Sequence, residues 1–437
     1  MKRKTLFSLV IVLVALAIFA VPAFAQLGDT DVSSFTVQNV SGGSGEVTVT
    51  FIAEDGTMST PADLGAGITN PFTLADGASQ QIYVPNVPGL ASGRYSVMIS
   101  SNAQVVAQAG VAGTGTTRFS GSYVGFSSGA LTTNIPSVAY NFAGWYSMIS
   151  VQNVGSDVTD IEVEFYCVDG TTGTLTATNV QPYASHTWAL KNDMPVGFSP
   201  STQCDGSAVV SSSSQPVVAV NNQNKPATGA TNTFEAAPAG NDILYVPSLS
   251  NNFSGWNSAL TIQKLDAGPT TVTVSYDDGD PDDTCSLTDA VPSCKLYMPN
   301  FHNQVGRFGA IITSSGGTNL LAIAGTTKAS EGWSGATSAA PSGSESVAIQ
   351  NVGSGATSVN VEYSGYASDA YNTSSIPVGG SVQILVFNET FLPDGWQGGA
   401  TITGNVSGSE VICTVGNSRS NAPIPGDWTS QYNAYNK

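Results

Sequence analysis

The chain reads as an all-β protein of four tandem antiparallel β-sandwich modules that follow a signal peptide. Three observations predict this: a fourfold internal repeat, apolar residues recurring at every second position, and Gly- and Asp-rich turns between the runs.

Each repeat opens on a related strand: Phe35-Thr-Val-Gln-Asn-Val, Ile149-Ser-Val-Gln-Asn-Val, Leu260-Thr-Ile-Gln-Lys-Leu and Val347-Ala-Ile-Gln-Asn-Val. A second alternating run follows, as in Val47-Thr-Val-Thr-Phe and Ile161-Glu-Val-Glu-Phe. A later block recurs as Val97-Met-Ile-Ser-Ser, Ala208-Val-Val-Ser-Ser, Ile311-Ile-Thr-Ser-Ser and Ala400-Thr-Ile-Thr-Gly. Period-two alternation places one face of each run in a core and the other in water. Asp55-Gly, Asp76-Gly and Asp169-Gly mark turns. About seven strands per longer repeat, with turns every 8–12 residues, is sandwich spacing. No mature stretch of ten or more residues carries a helical stripe. The modules are placed at 26–130, 131–240, 241–341 and 342–437. The fourth lacks the block that precedes the second and third, Ile135-Pro-Ser-Val-Ala-Tyr-Asn-Phe-Ala-Gly-Trp145 and Val246-Pro-Ser-Leu-Ser-Asn-Asn-Phe-Ser-Gly-Trp256. The tail 421–437 reads as the start of a further module.

Residues 1–25 have the layout of a secretory signal. Lys2-Arg3-Lys4 precedes an apolar stretch from Leu6 to Ala20, and Ala23-Phe24-Ala25 is a small-x-small cleavage site. No later segment nears the ~18 apolar residues that span a bilayer. The expected location is therefore extracellular or at the cell surface, with no membrane span after cleavage. Loss of the leader takes the formal charge from −18 to −21. An acidic chain without a basic patch excludes nucleic acid as a natural partner. Only 10% of residues are charged, so Ser, Thr, Asn, Gln and Gly cover the surface.

The order of an alternating strand ending in Gln-Asn-Val-Gly, a strand ending in Asp-Gly and a later Ser-Ser-x-x-x-Val-Val-Ala-Val segment resembles immunoglobulin-like modules of bacterial secreted and cell-surface proteins. The likeness covers nearly all of the mature chain. It implies a stalk, spacer, adhesin or layer component and carries over no functional residue. The Cys…Trp…Cys spacing of antibody domains is absent.

Five cysteines are present. Cys285 and Cys294 are near enough to staple a local loop, worth roughly 3 kcal/mol. Cys167 and Cys204 share a module and would close a longer one, worth roughly 4 kcal/mol. Cys413 is left as a buried thiol.

Few residues point to chemistry. Gly125-Phe-Ser127-Ser-Gly129 matches a nucleophile elbow in form, but no helix follows and the two histidines, His186 and His302, fall in different modules. No zinc-ligand spacing occurs. In the acidic run 277–283, Asp278, Asp280 and Asp282 alternate, and Asp289 stands at a twelfth ligand position. Together they are a candidate Ca²⁺ set, although Asp283 replaces the sharp-turn Gly. Gly-Trp pairs recur at Trp145, Trp256, Trp333 and Trp396; exposed, these indoles could stack on glycans or a partner, and buried they would serve packing. The expected function is structural or adhesive and non-enzymatic, with envelope components, glycans or copies of the chain as partners, including a homopolymer. A glycan-binding lectin is the first alternative and an exported hydrolase the second.

Overall fold

A computed structural model describes residues 17–21, 31–113, 120–328, 333–334, 344–363, 371–385, 392, 400–406, 410–418 and 430–433. The protein is all-β, with antiparallel pairing in every sheet. Among the described residues the only α-helix is the single turn Met298–Phe301.

The second repeat shows the plan. Its eight strands are, in order, Thr132–Tyr140, Tyr146–Asn153, Thr159–Cys167, Thr172–Val180, Ser185–Ala189, Cys204–Ser212, Val217–Lys225 and Ala230–Glu235. They form two four-stranded sheets, ordered first–sixth–third–fourth and fifth–second–seventh–eighth. The third repeat copies this with Ile243–Asn251, Trp256–Lys264, Thr270–Tyr276, Asp283–Leu287, Ser293–Tyr297, Gly306–Ser314, Leu320–Lys328 and Trp333–Ser334. Eight strands stand where seven were expected, because the last edge strand is short and polar and carries little alternation.

The outer repeats differ at their margins. In the first, Ala17–Val21 pairs with Tyr95–Ser101 and holds the first-strand place. These residues lie inside the expected leader, yet their backbone pairs with the edge of this sheet. In the fourth, the strands Ser344–Asn351, Val359–Tyr363, Tyr371–Asn372, Ser381–Leu385, Ala400–Gly404, Val411–Ser418 and Ser430–Asn433 fill, among the described residues, every place but the first. The tail strand Ser430–Asn433 pairs with Val411–Ser418, so it closes the fourth repeat rather than opening a fifth.

Alternation builds the cores. Ile161, Val163, Phe165 and Cys167 point inward while Asp160 and Glu162 face water. Each repeat holds its own apolar cluster between its two sheets. In the first strands of the second and third repeats the register shifts between Ile135 and Val138 and between Val246 and Leu249. Pro136 and Pro247 stand at these bulges, where a missing N–H costs no ladder bond. The turn after each is left-handed: Asn141, Ala143 and Gly144 have φ of 52°, 49° and 82°, and Asn252, Ser254 and Gly255 have 50°, 50° and 84°. Glycine before tryptophan is thus turn chemistry.

The repeated Gln-Asn pair works on both sides of the sheet. Asn153 Nδ2 donates to the carbonyls of Asp157, Val180 and Gln181, and its Oδ1 accepts from Gly155 N–H. Asn39 and Asn351 make the equivalent bonds to Gly43 and Leu74, and to Gly355 and Ile376. Each locks the loop after its own strand to the loop before the fifth. Gln263 and Gln350 point outward instead, and each donates to a carbonyl of the preceding repeat, Ala208 and Ala310.

Consecutive repeats therefore pack on one another and are not spaced by free linkers. Ser96 Oγ donates to Tyr183 O across the first junction, and Lys295 pairs with Asp205 across the second. The eighth strands come together: Ser120–Val124 lies against Ala230–Glu235 and Ser430–Asn433, so the first repeat also touches the fourth.

Replacing Asn153 by Ala would take this donor from the buried Val180 carbonyl and the part-buried carbonyls of Asp157 and Gln181, and the acceptor from the buried Gly155 N–H. The expected loss is about 2–4 kcal/mol, read as a lower urea midpoint for the second repeat. An unchanged midpoint would refute the stapling role.

Candidate functional site

A cleft of about 940 Å³ opens between the second and third repeats. Its aromatic wall comes from two sources. Phe142 and Trp145 are projected by the left-handed turn described above, which an isolated bridge between them closes. Tyr297 caps the start of the helical turn Met298–Phe301 of the third repeat, and Phe301 is its last residue. Phe142, Tyr297 and Phe301 are exposed and Trp145 is half-buried, so each keeps part of its surface open to solvent.

The polar wall is mostly uncharged. Asn232, Thr233 and Gln223 contribute from the seventh and eighth strands of the second repeat, and Ser293 from the third repeat. Ser293 Oγ is buried and has no hydrogen-bond partner among the described residues. One ion pair crosses the cleft: Lys295 Nζ lies 2.7 Å from the buried Asp205 Oδ1 and 5.7 Å from the Phe142 ring centroid. The ammonium is thus shared between a carboxylate and an aromatic face. Glu235 lines the far end and accepts from Val124 N–H of the first repeat; burial raises its carboxyl above the ordinary range.

The structure separates the four tryptophans. Trp145 lines the cleft, whereas Trp256 is fully buried and cannot meet a glycan. Trp333 lies on the last strand of the third repeat, its side chain outside the described residues, and Trp396 is outside them altogether.

The proposed Ca²⁺ ligands do not converge. Asp280 Oδ2 lies 2.6 Å from His302 Nδ1 and accepts from Asn303 N–H at 2.7 Å, while Asp278 Oδ2 lies 3.0 Å from His302 Nε2. The His302 ring is buried, stacked on Tyr276 and edge-on to Phe308. Asp282 is exposed, and Asp289 is taken by Lys264 and by Gly268 N–H. Asp277 accepts from Gly309 N–H and Ser381 Oγ, and Asp283 from the Tyr276 hydroxyl. The run is consumed in stitching the third repeat together and to the fourth. Among the described residues, no group of three or more His, Cys, Asp or Glu side chains is placed to hold a metal ion.

Both expected disulfides form, Cys167–Cys204 and Cys285–Cys294. Cys413 is a buried free thiol, and burial pushes its pKa up to about 12. Ser127 sits exposed on a bend, and His186 packs beside Trp188 in the second repeat, far in sequence from His302. Asn-x-Ser/Thr glycosylation sequons begin at Asn39, Asn252, Asn372, Asn388 and Asn405; of these Asn39 is buried, Asn252, Asn372 and Asn405 are exposed, and Asn388 lies outside the described residues. Among the described residues, no helix is long and apolar enough to cross a membrane.

Sequence reasoning missed Phe142, Tyr297, Phe301 and the Asp205–Lys295 pair. Phe142 sits in the repeated turn beside Trp145 and was within reach of a closer reading. The others depend on which repeat packs on which, and no local pattern carries that. No protein-family model matches this chain, and no curated protein matches it either.

Because the folded protein raises the Glu235 pKa, its ionised form costs stability above that pKa, and the cost vanishes as pH falls below the unfolded value. Glu235→Gln is expected to raise the melting temperature at pH 7 and to match the parent near pH 3. A pH-independent difference would show that charge is not the cause.

Proposed function

We propose that this is a secreted, non-enzymatic structural or adhesive protein of a cell surface or extracellular fibre, built from four immunoglobulin-like β-sandwich modules. The observation that carries the reading is the junction between repeats. Gln263 and Gln350, at matching places in their repeats, bond to the matching carbonyls of Ala208 and Ala310. Sheets joined face to face in this way form a stiff body rather than beads on a string. Two disulfides support an oxidising compartment, since the cytosol keeps such pairs reduced. Partners in this reading are envelope components, glycans or further copies.

Antibody labelling of intact source cells and of the culture medium tests it. Surface or medium signal is expected without permeabilisation; signal that appears only after lysis would end the reading.

The cleft favours a second role, glycan binding. Aromatic faces beside uncharged amides and hydroxyls suit the apolar faces and hydroxyl edges of sugars. On a glycan array, Trp145→Ala should abolish any hit. A hit that survives this change would move binding away from the cleft.

A further inference from the structure

We propose that the fourth repeat is a strand acceptor: the open edge of Ala400–Gly404 takes an extended segment of another protein, antiparallel, in the place that Thr132–Tyr140 and Ile243–Asn251 fill in the second and third repeats.

The repeats supply the comparison. In the second, the sixth strand pairs on one side with the third strand and on the other with the first. The third repeat does the same. In the fourth, Ala400–Gly404 pairs with Val359–Tyr363, and among the described residues nothing pairs with its other edge. Among the described residues a row of backbone N–H and C=O groups is left there, a ready template for strand addition.

Side-chain burial shows that the vacancy reaches the core. Ala208 and Val210, and likewise Ala310 and Ile312, are 0% exposed. Their counterparts Ala400 and Ile402 are exposed and half-buried. On the facing sheet Val217 and Leu320 are buried, but their counterpart Val411 is only partly so. What covers these positions in the inner repeats is the first strand, through Ile135 and Val138 or Val246 and Leu249. Among the described residues the fourth repeat has the floor of that slot and not the plug. Ala400-Thr-Ile-Thr-Gly also carries no Lys or Pro, the residues that usually blunt an open edge.

The inner first strands define the occupant. It is an extended segment with two aliphatic side chains three residues apart, bracketing a Pro-Ser bulge, as in Ile135-Pro-Ser-Val138 and Val246-Pro-Ser-Leu249. A second copy of this chain is a poor donor because its own strands of this kind are committed. Ser137 O accepts from Asn221 Nδ2, Ala139 N–H donates to Ser147 Oγ, and Ser250 N–H to Ser258 Oγ. The donor is therefore a strand of a separate polypeptide. This goes beyond the structural or adhesive reading, which stands or falls without it.

The test uses the full chain and a labelled synthetic peptide with the sequence of residues 132–140. Saturable binding by fluorescence anisotropy is expected, with slower amide exchange at 400–404 and slower alkylation of Cys413 in the adjoining core. Ile402→Lys in the chain should weaken binding at least about tenfold. A peptide carrying Asp in place of Ile135 and Val138 should do the same, and it tests the slot without touching the fold of the repeat. Absence of saturable binding would overturn the proposal. So would protection at 204–212 instead of 400–404, because the peptide would then be exchanging with the second repeat's own first strand.

Discussion

A buried side chain at the end of the second strand holds each repeat together. Asn39, Asn153 and Asn351 are 0% exposed, and each binds a carbonyl of the loop after its own strand and one on the way into the fifth strand, beside the backbone pairs Gly45–Leu74, Thr159–Val180 and Thr357–Ile376. In a region shielded from water these bonds are hard to lose, since every orphaned carbonyl would carry its full desolvation cost. The third repeat makes the same join with a different residue. Lys264 replaces asparagine, and its ammonium binds Asp266 O and the Asp289 carboxylate. A cation reaches what the amide reached, provided that an anion meets it. That is why Asp289 belongs to the loop knot and not to the acidic run.

The neighbouring glutamine shows how one strand can serve two layers. Period-two alternation sends asparagine inward and glutamine outward. In the second to fourth repeats the outward glutamine is covered: Gln152, Gln263 and Gln350 are almost wholly buried. In the first, Gln38 bonds only to Gly77 O within its own repeat and stays half-buried. The same side chain bonds across to the preceding repeat at Gln263 and Gln350, and within its own repeat at Gln152 and Gln38. Where two repeats meet less closely, at the Phe142–Trp145 turn, the junction opens into the cleft.

The fold class, the inward positions and the turns were legible because they rest on neighbours in sequence. Ile161, Val163 and Phe165 announce a half-buried strand by spacing alone, and Cys285 and Cys294 announce a staple by their closeness. The candidate sites were not legible, for a physical reason that differs from case to case. Trp145 and Trp256 follow the same Asn-Phe-x-Gly turn, yet one lines a cleft and the other is buried, because their surroundings come from different repeats. Asp278 and Asp280 look like cation ligands until His302, more than twenty residues on, is brought between them.

Alternation, glycine at left-handed turns and the fourfold repeat are local consequences of backbone sterics and burial, so the chain by itself determined that it would form copied antiparallel sheets. Only the tertiary structure decided that the repeats stack, that the tail strand pairs within the fourth of them, and that among the described residues one sheet edge there has no partner strand. Those outcomes turn on contacts between residues tens to hundreds of positions apart, where a strand's value depends on the surface it meets rather than on its own pattern.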